Sequence, residues 1–250
     1  VVGSALIDEA TPVIFGEPRD APRKAKTSRD VEFDRPVFIV SPPRSGSTFL
    51  FETLTRASGV YTIGDESHGL IEGIGVLHPR ARGFASNRLD VDAAGSDVVK
   101  ELRSRFRAAL RDRDGAPPVQ WPLRLLEKTP KNSLRIPFLA KVFPEAQFIY
   151  LHRDVRQVLA SMIEAWNSGR FRTYPNLPDW NGLPWSLVLT PGWRELDGKP
   201  QHELVAAQWQ AVTQVLLDDL AAPPRAHVHI ARYDALTADP AAEIARLCAA

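Results

Sequence analysis

The sequence predicts an α/β fold in a single domain, a P-loop-like parallel β-sheet flanked by helices. Three observations point there. Short apolar runs, Val37–Val40, Leu123–Glu127 and Gln147–Leu151, alternate with helix-periodic segments, as in a parallel sheet covered by helices. A Pro/Gly/Ser turn joins the first run directly to a helix. Each run ends beside a cation, Arg44, Lys128 or Arg153, at the strand end where ligands of such sheets collect.

In chain order, residues 1–35 carry Pro12, Pro18, Pro22 and a charged stretch with few periodic apolar residues, which reads as an N-terminal arm or linker. The domain spans 36–250. It opens with the strand at Val37, a helix from Thr48 to about Ala57, and a short extended piece at Val60–Gly64. Apolar residues at helical spacing predict an amphipathic helix over Ser96–Arg113, whose arginines alternate with acids as on a solvated face. The strand at Leu123, a helix over Ser133–Val142, the strand at Gln147 and a helix over Asp154–Trp166 follow. Residues 167–200 form an irregular stretch rich in Trp, Tyr and Pro. A helix over Gln201–Leu220, a strand at Val228–Ile230 and a helix from about Pro240 complete the pattern.

Composition narrows the function classes. With 31 Lys+Arg against 30 Asp+Glu there is no global basic field, so no nucleic acid polymer is expected as partner and any anion site must be local. The single cysteine, Cys248, excludes an internal disulfide and a cysteine-built metal cluster, and suits a reducing, cytoplasmic setting. No apolar run approaches the ~18 residues of a membrane span. The histidines show no metal spacing, and no metal is expected.

The informative stretch is Pro43-Arg44-Ser45-Gly46-Ser47-Thr48. Unpaired N–H groups at a helix N-terminus, with the helix dipole behind them, favour an anion. Arg44 adds a cation, Ser45, Ser47 and Thr48 add hydroxyls, and Gly46 lets backbone approach a ligand closely. An ordinary capped turn would share the local pattern. The stretch is not the nucleoside-triphosphate motif G-x-x-x-x-G-K-[ST]: Ser47 stands where the lysine would be, and no glycine sits five positions before Gly46. A second cation, Arg153, stands where a strand meets a helix, with Ser161 eight residues on.

Together these residues resemble the sulfotransferases that use 3'-phosphoadenosine 5'-phosphosulfate (PAPS) as co-substrate and release 3'-phosphoadenosine 5'-phosphate (PAP). Residues 43–48 are similar to that family's 5'-phosphosulfate loop, and Arg153 with Ser161 to its 3'-phosphate pair. The arginine-first loop is closer to tyrosylprotein sulfotransferases and to bacterial enzymes of polyketide or glycan pathways than to lysine-first cytosolic enzymes. The resemblance runs over about Val37–Leu247. It implies a general base at Glu66, ranked above the adjacent Asp65, and a sulfuryl-facing lysine at Lys128. It also implies a nucleotide-side tyrosine at Tyr233, and a basic covering segment after the last helix, so the C-terminal part of the domain is expected to be missing from this chain.

Chemistry agrees with these roles. Sulfuryl transfer, by analogy with phosphoryl transfer, develops charge on equatorial and leaving oxygens, which Arg44 and Lys128 would stabilise. A carboxylate such as Glu66 takes the acceptor's proton. His68, two residues from Glu66, is a candidate to assist proton transfer or touch the acceptor, and equally a surface histidine; His152 alternates to the other face of its strand and reads as packing. The aromatic stretch within 167–200 is the candidate acceptor lid or pocket wall, or a loop packed on the domain. The acceptor is a hydroxyl on a small molecule, glycan, lipid or carrier-bound intermediate, and the oligomeric state stays open. A small-molecule kinase with a degenerate phosphate loop and a non-catalytic nucleotide-binding module are the competing functions.

Overall fold

The computed structural model describes residues 32–119, 121–221 and 227–249. The arm expected over residues 1–31 lies outside them. Five parallel strands form the central sheet in the order β2-β3-β1-β4-β7. They are β1 (Val37–Val40), β2 (Val60–Tyr61), β3 (Arg124–Lys128), β4 (Gln147–His152) and β7 (Val228–Arg232). The chain leaves β1 towards β2 and β3 on one side and later adds β4 and β7 on the other. The crevice at the carboxyl end of β1 is thus the switch point where such sheets hold ligands.

Alternation along β1 divides the core. Phe38 and Val40 face a cluster with α3 (Ser96–Ala109), α4 (Ile136–Val142) and the end of α6 (Gln201–Ala221). Ile39 faces the opposite cluster, with α1 (Ser47–Leu54), α7 (Tyr233–Ala238) and α8 (Pro240–Cys248). The sheet is therefore covered on both faces, which is why its strands read as apolar runs. The short α2 (His68–Glu72) and α5 (Val155–Ser168) complete the helices. Residues 32–34 belong to the domain: Phe33 is buried beside Phe143 and bridges Leu123. Among the described residues no helix is long and apolar enough to cross a membrane.

Three expected elements differ. The helix predicted to reach Arg113 stops at Ala109, because Leu110 turns extended and Arg111 exchanges backbone hydrogen bonds with Thr62 beside β2. The helix predicted over Ser133–Val142 is a 3-10 turn at Pro130–Leu134 followed by α4, with a break at Arg135 (φ −135°). Pro137 has no N–H to continue a helix from Ser133, so a new helix starts with proline in its first turn. The irregular stretch holds a hairpin of β5 (Arg172–Tyr174) and β6 (Trp185–Ser186), and a 3-10 turn at Trp193–Leu196. Its Trp185 and Trp193 are fully buried against α5 and α6, with ring contacts at 5.0–6.2 Å.

Candidate active site

A cavity of about 1000 Å³ opens at the carboxyl ends of the central strands. Arg44, Gly46, Ser47, Thr48, Glu66, His68, Lys128, Arg153 and Ser161 all line it. Residues far apart in sequence thus share one wall.

The loop after β1 is shaped from outside and within. Ser133 clamps its start: the Ser41 N–H donates to Ser133 Oγ (2.9 Å), and that hydroxyl donates to Ser41 O (2.7 Å). Arg44 (φ 69°) and Gly46 (φ 92°) adopt left-handed backbone, which bends the chain into α1. Glycine is required at 46 for two reasons. That φ disfavours a side chain, and a Cβ there would sit 2.3 Å from Tyr233 Cε2. The Ser45 side chain is buried, and its hydroxyl donates to Pro42 O (2.8 Å), so the hydroxyl holds the turn rather than lining the cavity. No side chain caps α1; the Phe49 N–H donates back to Gly46 O (3.0 Å), while Ser47 and Thr48 before it line the cavity.

Arg153 and Ser161 do not meet each other. Arg44 Nε donates to Ser161 Oγ (3.2 Å), while Arg44's guanidinium lies 4.6 Å over the Phe171 ring. Arg153 donates to Arg44 O (3.1 Å) and to Gln157 Oε1 (3.0 Å), and stacks 4.2 Å over Tyr233. Asp154 caps α5 by accepting from the Arg156 N–H, which fixes where Arg153 leaves the strand. Tyr233 therefore supports both Gly46 and Arg153 from behind. His152 lies outside the cavity, edge-on to Tyr150 at 6.3 Å.

The second wall comes from β3 and the loop before α2. Lys128 Nζ donates to Glu66 Oε1 (2.9 Å), and His68 Nδ1 lies 3.6 Å from Oε2, at the margin of a hydrogen bond. Burial alone would raise the Glu66 pKa, but His68 and Lys128 outweigh it and hold the carboxyl below its usual range. Asp65 is separated from its neighbour: it is exposed and accepts from the Glu66 N–H (2.7 Å). Glu127, adjacent to Lys128, points the other way. Fully buried, it accepts from the Ser67 N–H (3.3 Å), the Thr129 hydroxyl and Asn132 Nδ2 (2.8 Å), and burial pushes its carboxyl pKa up. The end of β3 thus holds both Lys128 and the segment that presents Glu66.

A third group escaped the sequence reading. Glu72 takes both carboxylate oxygens to Lys131 Nζ (3.0 Å each) and Oε1 to Arg135 Nη2 (2.5 Å). Arg135 is fully buried, and Lys131 also donates to Tyr174 OH (3.3 Å). The signal available was Lys131 itself, three residues past Lys128 at the same strand end. Its partner Glu72 lies on α2, where nothing in the local pattern marks it.

The fold and this wall define an α/β protein with a cation-lined cavity at its sheet's switch point. The chain belongs to the sulfotransferase family, whose model matches residues 36–250. Among solved structures it is similar to sulfotransferase STF9 from Mycobacterium avium, at 17% identity over 88% of this chain and 64% of that one (TM-score 0.51). It is also similar to sulfotransferase STF1 from Mycobacterium tuberculosis H37Rv, at 15% identity over 88% and 68% (TM-score 0.50). The sulfotransferase domain from the curacin biosynthetic pathway aligns at 20% identity over 87% and 73% (TM-score 0.49). At these identities the likeness to the mycobacterial enzymes is one of fold. No curated protein matches at a significant level.

Proposed function

We propose that the protein transfers a sulfuryl group from PAPS to a hydroxyl acceptor, with Glu66 as general base. The observation that carries this is the Lys128–Glu66 pair set on the same cavity as Arg44 and the N-terminus of α1. The residues fit such a donor. Three cations, Arg44, Lys128 and Arg153, line the wall, and Gly46 lets the loop turn into α1 against the Tyr233 ring. Arg44, Ser47, Thr48 and the first amides of α1 would hold the 5'-phosphosulfate, and Arg153 and Ser161 the 3'-phosphate. Ser45 and Tyr233 would keep the loop and Arg153 in place. The donor supplies an activated sulfuryl group.

Glu66 would take the proton as the acceptor oxygen bonds to sulfur, a contribution of typically ~10²–10⁴-fold. Lys128 and Arg44 would offset the charge that builds on the sulfuryl and leaving oxygens. Lys128 spends one of its three donors on Glu66 among the described residues, which leaves two for that charge. The exposed Cys248 is in keeping with a cytoplasmic setting.

The test is thermal denaturation with PAP, followed by acceptor-dependent PAP release from PAPS. At a hundred times its dissociation constant PAP should stabilise the fold by about 2.7 kcal/mol. An unchanged midpoint at millimolar PAP would remove the donor site from the proposal.

A further inference from the structure

Beyond the donor wall, the cavity is lined by donors whose hydrogens are unspent. Asn87 sets the pattern. Its Oδ1 accepts from the Leu189 N–H (2.7 Å), which fixes the amide so that Nδ2 donates to Tyr174 OH (2.6 Å). Lys131 donates to the same phenol oxygen. With two donors directed at its oxygen, Tyr174 must give its own proton elsewhere, and no described residue receives it. Tyr174 lines the cavity, and burial together with the charge of Glu72 pushes its pKa to about 12, so it stays a donor at every working pH.

Charge on this part of the wall points the same way. Lys131 shares the single negative charge of Glu72 with the buried Arg135. Arg80 and Arg172 also line the cavity, are exposed, and have no ion-pair partner among the described residues. The one further acid on the wall, Glu52, belongs to α1 beside the phosphate loop. His78 accepts from the Arg80 N–H at Nδ1 (3.0 Å), so the neutral ring carries its proton on Nε2 as another donor. Hydrogen-bond donors and two cations without an ion-pair partner, on a stretch of wall whose own carboxylate, Glu72, is already engaged by Lys131 and Arg135, call for an oxyanion.

We propose that the acceptor carries a carboxylate in addition to its reacting hydroxyl, and that Tyr174, Arg80 and Arg172 read that carboxylate. This rests on the sulfuryl-transfer reading and names the substrate class within it.

The test uses matched probes on the PAP-loaded full chain: 3-hydroxy and ω-hydroxy fatty acids of graded length and hydroxybenzoates, each beside its methyl ester. Calorimetry measures binding, and PAP release from PAPS measures turnover. The best acid should bind at least about tenfold tighter than its ester, as expected for charge-assisted hydrogen bonds. Arg172→Gln and Arg80→Gln, both on exposed side chains, should each erase most of that ratio while the ester's affinity holds. Tyr174→Phe should do the same, but because it unburdens Asn87 and Lys131 within the fold, the arginine variants are the deciding ones. Equal affinity for acid and ester, an acid preference that survives both arginine variants, or no acid binding to a protein that binds PAP would overturn the carboxylate. Failure to bind PAP would overturn the donor reading first and this proposal with it.

Discussion

Lys128 Nζ stands 2.9 Å from Glu66 Oε1, and this contact ties the basicity of the proposed base to the cation meant for the sulfuryl group. Glu66→Gln should lower kcat by about 10²–10⁴-fold and leave PAP affinity within about twofold. Parallel loss of both, measured by turnover and calorimetry, would make the residue structural. In the native protein the lowered Glu66 pKa keeps the carboxylate ionised to pH values below the usual carboxylate range. The acid limb of kcat/KM should therefore lie low and move upward in Lys128→Met, since His68 remains but the second of the two groups that lower the pKa is gone.

Gly46→Ala would place a methyl against the Tyr233 ring in left-handed backbone. The backbone term alone costs about 1–2 kcal/mol, which corresponds to a Tm fall of roughly 2–8 °C in a domain of this size. The contact adds to it. In the background of Tyr233→Ala the same substitution should cost less, leaving the backbone term; an undiminished cost would show that the ring is not the obstacle.

Arg153 is held by Arg44 O and the Tyr233 face, with Gln157 on its Nε. Arg153→Ala should weaken PAP by at least about tenfold, the scale of a lost charge-assisted contact, and change adenosine 5'-phosphate much less. Calorimetry on both nucleotides decides it: equal weakening would assign Arg153 to loop support alone.

Glu72→Gln leaves Lys131 and Arg135 with an uncompensated charge beside a side chain that is 0% exposed. The expected loss is about 3–5 kcal/mol by denaturant titration. Burial raises the Glu72 pKa, but Arg135 and Lys131 outweigh it and the folded value is lowered. Its contribution is thus fully present above the unfolded carboxyl's pKa and is lost as pH falls through the lowered folded one. The variant's stability should vary less over that window than the parent's.

The sequence made the sheet and the gathering of Arg44, Lys128 and Arg153 at one cavity legible because both rest on local signals: apolar runs, a glycine turn and cations at strand ends. The bond from the Ser45 hydroxyl to Pro42 O was not legible, because a hydroxyl in a loop gives no sign of whether it faces a cavity or a nearby carbonyl. The pairing of Ser161 with Arg44, rather than with Arg153, depends on how α5 sits beside the loop after β1, which spacing does not encode. Glu72 and Asn87 stayed hidden for the same reason: each looks like a surface residue until Arg135, Lys131 and Tyr174 arrive from other elements. The aromatic stretch divided as two of its readings allowed, with Trp185 and Trp193 packed inside and Phe171 and Tyr174 on the cavity wall.

The ring that backs Gly46 comes from the opposite end of the sequence. A nascent chain extended only through α5 already contains Arg44, Lys128 and Arg153, yet it lacks β7 and the tyrosine that follows. Competence to hold the proposed donor would therefore wait until β7 has been made and docks against β4. Premature termination before that point would yield a polypeptide with its anion loop unsupported, whatever the state of the rest of the sheet.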